Sequence, residues 1–168
     1  MLFSLVSLTY ILIDSDRAAE AIGVARQAVA LSEKLDNPDP VHRANSAQAL
    51  GTALLEAGDG AAAEPLLRNA WQTWQAGAVN DRRRMLAESA LGACLTVLGH
   101  YDEAEPLLLE SNQTIKADPG ASDINRRRSL ERLAGLFEKS GRVADGAAVR
   151  QRLSEIGASR GERARQAD

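Results

Sequence analysis

Aromatic residues make up only 4% of the 168-residue chain, while alanine, leucine and arginine are abundant. Strands favour aromatic and β-branched side chains, whereas closely packed helices favour alanine and leucine. The composition therefore predicts an all-α domain with a sizeable core. Cysteine is equally scarce: Cys94 stands alone, which excludes an internal disulfide and a cysteine-rich zinc site.

Several functional signals are also missing. The formal net charge of −3 lacks the basic excess of most nucleic-acid-binding domains. No Walker glycine loop, nucleophile elbow or kinase motif is present. The two histidines, His42 and His100, have no cysteine, aspartate or second histidine at ligand spacing. We therefore expect no enzyme activity, no metal, no cofactor and no nucleic-acid partner.

The longest apolar run lies at residues 1–13, MLFSLVSLTYILI. No lysine or arginine precedes it, it is too short to span a bilayer, and it lacks a small-residue cleavage signal. A first helix is the favoured interpretation, and a signal or anchor segment is the alternative. The favoured interpretation predicts no membrane partner and a cytoplasmic localisation.

The chain repeats itself with a period of 41–42 residues. The fourth and first copies are weaker, keeping Leu133, Ala134 and Gly141 in one and Leu8, Leu12 and Ala21 in the other. We expect repeats at about 1–35, 39–76, 80–117 and 123–156, followed by a mobile polar tail at 157–168. The last helix is expected to end near Ile156 and Gly157. In the two middle copies, a shift of 41 aligns Leu50, Gly51, Gly58, Ala63, Glu64, Pro65, Leu66 and Leu67 with Leu91, Gly92, Gly99, Ala104, Glu105, Pro106, Leu107 and Leu108.

Small residues recur where two helices of one repeat would cross. Gly51 and Ala63 in the second copy match Gly92 and Ala104 in the third. Small side chains let two helix backbones approach closely. One helical hairpin has too little apolar area to fold alone, so each needs a neighbour. The sequence predicts a right-handed solenoid of about four helical hairpins, or about eight helices.

The unit resembles the tetratricopeptide repeat. That family has a large and then a small residue in its first helix, a glycine seven residues later, an aromatic residue and a small residue that opens the second helix. Leu91, Gly92, Gly99, Tyr101 and Ala104 follow this pattern. The longer period and the AEPLL start of the second helix are most similar to the kinesin-light-chain type. Similar arrays occur in bacteria, including behind serine/threonine kinase domains.

The resemblance implies a non-catalytic scaffold that binds a peptide or a neighbouring domain. Its alternative is a regulatory or substrate-docking module of a bacterial signalling enzyme, such as a serine/threonine kinase whose catalytic domain is absent here. In this family the first helices line a concave groove. The corresponding positions are Asn45, Gln48, Thr52, Glu56, Leu86, Ser89, Ala93, Thr96, Arg128, Glu131, Gly135 and Glu138, with Arg82 and Arg83 at the rim.

Arginine triplets open two first helices, at 82–84 and 126–128. Cations in a first helical turn oppose the helix macrodipole, so another interaction must favour them. One interpretation pairs Arg84 with Glu88 and Arg127 with Glu131 at i,i+4, leaving a solvated face. The other is a basic rim for an acidic peptide.

The role of two further apolar features, a tryptophan pair and the outer face of the first helix, is not determined by the repeat pattern. Trp71 and Trp74 are three residues apart, and we favour a packed or rim-exposed pair over a ligand-stacking pair. The first helix has no predecessor in the chain, so its outer face, predicted to hold Leu2, Phe3, Leu5 and Val6, needs a cover. Self-association or further repeats upstream would supply one.

Overall fold

The structure, a computed structural model, describes residues 1–35, 39–77 and 81–166, with the side chains of all but 81 and 157–166. This part of the chain contains helices and no strand, which confirms the all-α prediction. Residue 80, where the third repeat was predicted to begin, lies outside the described residues. The helices are α1 (Leu2–Asp14), α2 (Ala18–Glu33), α3 (Pro40–Glu56), α4 (Gly60–Ala76), α5 (Asp81–Leu98), α6 (Tyr101–Ala117), α7 (Asp123–Lys139) and α8 (Val143–Gln166).

The helices form two layers. The first helices of the four pairs, α1, α3, α5 and α7, each contact the next one along the chain. The second helices α2, α4 and α6 each pack between two first helices, and α8 packs on α7. Among the second helices, α4 and α6 are joined by the ion pair of Arg68 with Glu103. This arrangement is a helical-repeat solenoid with the first helices as its inner layer.

Local sequence explains where the helices begin and turn. Asp39 accepts a hydrogen bond from the backbone of Val41 and precedes Pro40, whose fixed φ suits a first helical position. The turns inside the last three pairs each place a glycine at positive φ, for example Gly58 at 89°. In the first pair Asp16 takes this position with φ of 57°, a conformation that aspartate tolerates better than most residues.

The predicted close crossings are present in the two middle pairs. A Cβ on Gly51 would lie 2.8 Å from Leu67 Cγ, and a Cβ on Gly92 would lie 2.7 Å from Leu108 Cγ. Both distances are shorter than real Cβ contacts. The leucine of each second helix therefore occupies the space that the glycine leaves open, and Ala104 opposite is fully buried.

The outer pairs solve the same crossing with different residues. In the fourth pair the glycine and alanine exchange places, so Ala134 faces Gly146. In the first pair Thr9 replaces the glycine, and Ala25 stands where the middle pairs have leucine. Thr9 and Ala25 are both fully buried. A larger residue on one helix is thus matched by a smaller one on its partner, which explains why the outer copies depart from the repeat pattern.

The largest apolar cluster joins the last three pairs through buried leucines such as Leu67, Leu91 and Leu108. Cys94 belongs to it, with Sγ 3.2 Å from the carbonyl oxygen of Gly60. Burial raises the pKa of this thiol to about 11. It is therefore a protonated packing residue at neutral pH.

The outer face of α1 differs from its prediction. Leu2 and Val6 are only 8% and 5% exposed and pack on α2 and α3, because they continue the inward stripe of Thr9 and Ile13. Phe3 remains half exposed. Leu5 is partly buried against the same cluster. The apolar residues that α1 does expose are Met1, Phe3, Leu8 and Ile11.

The end of the last helix also differs. Helix α8 continues through Gly157 and reaches Gln166. The stretch 157–166 contains alanine, arginine, glutamate and glutamine, which favour helix and offset the cost of about 1 kcal/mol for each glycine.

The close crossing predicts coupling between Gly92 and Leu108. Gly92→Ala should lower the free energy of unfolding by about 1–3 kcal/mol through overpacking, and Leu108→Ala by about 2–5 kcal/mol through a cavity. In the double variant the new methyl group enters the vacated space, so the loss should fall short of the sum by about 1 kcal/mol or more. Urea unfolding followed by circular dichroism measures all three. Gly135→Ala is the control, since a Cβ there meets nothing within 4 Å, and strictly additive losses would contradict the crossing.

The strained turn of the first pair gives a second prediction. Asp16→Gly should raise the free energy of unfolding by up to about 1 kcal/mol, because glycine adopts positive φ without steric strain. Gly58→Ala, the reverse change at the matching turn, should lower it by about 1 kcal/mol. Thermal unfolding of both variants tests this, and a less stable Asp16→Gly variant would show that the aspartate side chain has a stabilising contact.

Candidate functional site: a polar chamber in the concave groove

The inner layer encloses a cavity of about 230 Å³, which we call the chamber. All four first helices contribute to its walls, and α6 adds one residue. Most of the lining side chains are polar or charged, unlike the leucine-rich core beside it. The lining residues are Tyr10, Asp14, Gln48, Thr52, Leu86, Ser89, Ala90, Ile115, Asn125, Arg128, Ser129 and Arg132.

A buried hydrogen-bond network supports one wall of the chamber. The indole nitrogen of Trp74 donates to Gln48 Oε1 at 2.8 Å. The Thr52 hydroxyl donates to the backbone carbonyl oxygen of Gln48 at 2.8 Å. With its amide oxygen engaged by Trp74, Gln48 keeps its amide nitrogen as a donor. Burial raises the pKa of Tyr10, so the phenol is neutral at physiological pH. Trp74 is thus a packed residue, as favoured from the sequence, and it also orients a chamber residue.

Arg132 is the most unusual charged residue of the chamber. Its side chain is 11% exposed, its Nη1 donates to Ser89 Oγ at 3.1 Å, and its Nη2 lies 3.5 Å from Glu56 Oε1. Nη2 is buried and makes no hydrogen bond of good geometry. Desolvation, together with the charge of Arg128, lowers the pKa of Arg132 to about 10. The guanidinium is still charged at neutral pH, but burial has removed hydration that its partners do not fully replace.

A wider polar cavity of about 450 Å³, which we call the mouth, shares Asp14, Arg128 and Arg132 with the chamber. Its charged side chains form three ion pairs. Arg128 Nη2 lies 2.6 Å from Asp14 Oδ1, a contact that joins α7 to α1 across the groove. Arg127 lies 3.5 Å from Glu131, and Arg132 reaches Glu56 as described. The mouth is lined by Ile13, Asp14, Asp16, Glu56, Ile124, Arg127, Arg128, Glu131 and Arg132.

The structure brings together part of the predicted groove. Gln48, Thr52, Leu86, Ser89 and Arg128 line the chamber, and Glu56 and Glu131 line the mouth with Arg128. The other predicted positions lie outside both cavities. Among them Thr96 is buried with its hydroxyl on Gly92 O, and Glu138 pairs with Arg150 of α8. The remaining ones are Asn45, Arg82, Arg83, Ala93 and Gly135.

Sequence reasoning missed several chamber residues, notably Tyr10, Asn125, Ser129 and Arg132. Arg132 follows Arg128 by four residues and therefore shares its helical face, which was a signal present in the sequence. Tyr10 carried no such signal, because its place in the chamber depends on contacts between distant repeats.

The arginine triplets have mostly structural partners. Arg82 makes two hydrogen bonds to Asp118 Oδ2, at 3.1 and 2.8 Å, and ties the start of α5 to the end of α6. This contact lowers the pKa of Asp118. Arg126 donates to the carbonyl oxygens of Asp118 and Ala121. The i,i+4 pairs with Glu88 and Glu131 are present at 3.5 Å, as one of the two interpretations predicted.

A second cavity, of about 290 Å³, lies between the ends of α6, α7 and α8. Its apolar walls include Ile115, Leu130 and Ile156. Ile115 takes the place that Trp74 has in the preceding repeat, and its smaller side chain leaves space. This cavity is therefore explained by packing, and the concave chamber is the candidate site.

In the described part of the chain, no group of three or more histidine, cysteine, aspartate or glutamate side chains could hold a metal ion. Nor does any described helix combine the length and apolarity needed to cross a membrane.

The structure is similar to solved structures of helical-repeat proteins. The solved TPR-like repeats of the kinesin-light-chain type from Podosopora anserina superpose with a TM-score of 0.68 at 20% sequence identity, covering 94% of this chain and 75% of that one. BtubC (BKLC) from P. vanneervenii superposes with a TM-score of 0.57 at 14% identity, covering 95% of this chain and 82% of that one. At these identities the likeness concerns the fold, which is that of a tetratricopeptide-like solenoid.

A match to a family model supports the same class at the level of sequence. The family model of the tetratricopeptide repeat matches residues 43–77, which span α3 and α4. The resemblance to kinesin-light-chain-like tetratricopeptide repeats is therefore confirmed. Proteins of this repeat family generally act as protein–protein interaction scaffolds and are generally non-catalytic. A search of curated protein sequences finds no significant match.

The desolvated guanidinium of Arg132 is expected to lower the free energy of unfolding. Arg132→Met should raise the free energy of unfolding by about 1–2 kcal/mol, because a hydrophobic side chain of similar length needs no hydration and Glu56 remains hydrated. Folding lowers the pKa of Arg132 to about 10. The desolvation penalty is therefore complete at neutral pH and decreases as the pH rises from about 10 toward the ordinary pKa of arginine. Urea unfolding at pH 7 tests this, with the exposed Arg127→Met as a control that should change by less than about 0.5 kcal/mol. A less stable Arg132→Met variant would mean that its contacts outweigh desolvation.

Proposed function

We propose that the chain is a non-catalytic scaffold whose concave face binds a segment of a partner protein. The observation that carries the proposal is the chamber, whose walls come from all four first helices. A surface shared by successive repeats can contact several consecutive residues of an extended segment, which is how solenoids generally use their concave sides. The bound segment would contact the chamber and mouth, where Leu86 offers an apolar contact beside polar ones.

Polar groups rather than apolar area would give this groove its selectivity. Gln48 is held by its hydrogen bond with Trp74, so it loses little conformational freedom when a ligand binds. Two of the ion pairs of the mouth, Arg127 with Glu131 and Arg128 with Asp14, are partly exposed and can exchange partners at low cost. A segment with hydrogen-bonding and charged groups suits such a site better than an apolar helix.

The sequence resemblance also suggests a regulatory or substrate-docking role beside a bacterial signalling enzyme such as a kinase. That alternative stays a prediction, as do the cytoplasmic localisation and self-association through α1. Self-association could use only the exposed residues Phe3, Leu8 and Ile11, because Leu2 and Val6 are buried.

Site-specific photo-crosslinking tests the binding face. A photoreactive amino acid at Leu86 should capture a partner that the same group at Leu109 does not, since Leu109 is exposed on the outer layer. Once the partner is identified, Leu86→Arg should weaken its binding at least about tenfold by placing a charge in the chamber. Leu109→Arg is the matched control and should leave the affinity within about twofold. Capture from Leu109 alone, or equal effects of the two substitutions, would place the interface elsewhere.

A further inference from the structure

The second cavity, between α6, α7 and α8, lies where the repeat alignment would place two tryptophan side chains. The shift of 41 residues that aligns the two middle copies places Asn112 on Trp71 and Ile115 on Trp74. In the preceding repeat Trp74 is packed to 1% exposure. The smaller side chains of α6 leave about 290 Å³ open, and no described residue of the lining is aromatic. We call this space the α6–α8 cavity.

The inner wall of the α6–α8 cavity is apolar. Ile115 and Leu130 are only 2% and 3% exposed, and Ile156 adds a third branched side chain from α8. Apolar cavities of about 150 Å³ with walls of this kind stay free of water and bind benzene. A cavity of about 290 Å³ therefore has room for an aromatic molecule of two fused rings.

One buried polar group lies beside this apolar wall. Asn112 is 9% exposed, and its Nδ2 donates to Ser129 Oγ at 2.9 Å. Its Oδ1 is therefore the part of the amide that remains to accept a hydrogen bond. The preceding repeat shows the same chemistry, because the amide oxygen of Gln48 accepts from the indole nitrogen of Trp74 at 2.8 Å. A ring with an N–H donor would match Asn112 in this way.

The charge of the lining also favours an aromatic ligand. Cations are attracted to the negative faces of aromatic rings, and in this chain Arg83 Cζ already lies 5.6 Å from the ring centroid of Trp74. A saturated molecule of the same size would lack this attraction. Three of the four charged residues of the lining are basic, and the four are Lys116, Arg126, Arg152 and Glu155.

We propose that the α6–α8 cavity binds a small neutral aromatic molecule of two fused rings with an N–H donor, of which indole is the simplest example. The rings pack on the apolar wall and the N–H donates to Asn112 Oδ1. A free molecule suits the nearly closed wall better than a side chain that brings its backbone along. The site shares Ile115 with the chamber but none of the chamber's polar residues, so it goes beyond the proposed function.

The test is an NMR titration of the full chain with three compounds. The methyl resonances of Ile115 and Leu130 report on the apolar wall, and the side-chain amide of Asn112 reports on the acceptor. We expect saturable shifts with indole. Benzofuran has the same shape without the N–H donor and should bind about fivefold more weakly. N-acetyltryptophanamide, which carries the indole ring on a backbone, should produce no saturable shift.

Variants determine whether indole occupies this cavity. Ile115→Trp restores the residue of the preceding repeat, so its own ring should fill the space and weaken indole binding at least about tenfold. Asn112→Ala removes the acceptor and should abolish the preference for indole over benzofuran. Gln113→Ala, next to it but exposed and outside the lining, is the matched control and should change the affinity for indole by less than about twofold.

Three results would overturn the proposal. They are the absence of saturable shifts with indole in the wild type, equal indole binding in wild type and a folded Ile115→Trp variant, and a preference for indole over benzofuran that survives in Asn112→Ala. Binding of N-acetyltryptophanamide as tight as that of indole would also contradict it, because the cavity would then receive a protein side chain. Crosslinking at Leu86 tests the concave scaffold separately, so either conclusion can fail without the other.

Discussion

The fold depends on how closely the two helices of each pair can approach. At Gly51 and Gly92 the leucine of the second helix packs where a Cβ would be, so the helix backbones meet with one leucine between them. This contact determines the position of each second helix and, through it, the spacing of the first helices in the inner layer. The outer pairs keep the spacing with other residues, Thr9 with Ala25 and Ala134 with Gly146. What the repeat preserves is the combined volume at the crossing.

That spacing brings the ends of the inner layer together. Arg128 and Asp14 are 114 residues apart in sequence, and their contact at 2.6 Å bridges α7 and α1. The first helices consequently line a partly enclosed chamber. Enclosure makes the polar residues of the chamber energetically important, because a buried donor or charge must find partners inside the protein. Gln48 accepts a hydrogen bond from Trp74, whereas Nη2 of Arg132 makes no hydrogen bond of good geometry.

The sequence predicted the elements that depend on local contacts. The paired glycine and leucine positions, the turn glycines and the i,i+4 pairs of Arg84 and Arg127 involve residues of one helix pair, so their spacing is visible in the repeat. The chamber was only partly predictable, since its lining combines residues of all four repeats that are distant in sequence, such as Tyr10 and Arg132. The face of α1 was misassigned for a related reason: Leu2 and Val6 precede the aligned positions, and their burial follows from the helical stripe of Thr9.

Arg132 is buried without a full set of hydrogen bonds, and such a residue lowers the stability of the fold. A scaffold selected for stability alone would place an apolar residue at position 132, as the leucine-rich core beside it does, because desolvation of the guanidinium opposes folding. Residues that lower stability persist where a site needs them. Arg132 is held by Ser89 and Glu56 without full satisfaction, and Asp14 neutralises its neighbour Arg128 through an exposed and weak ion pair.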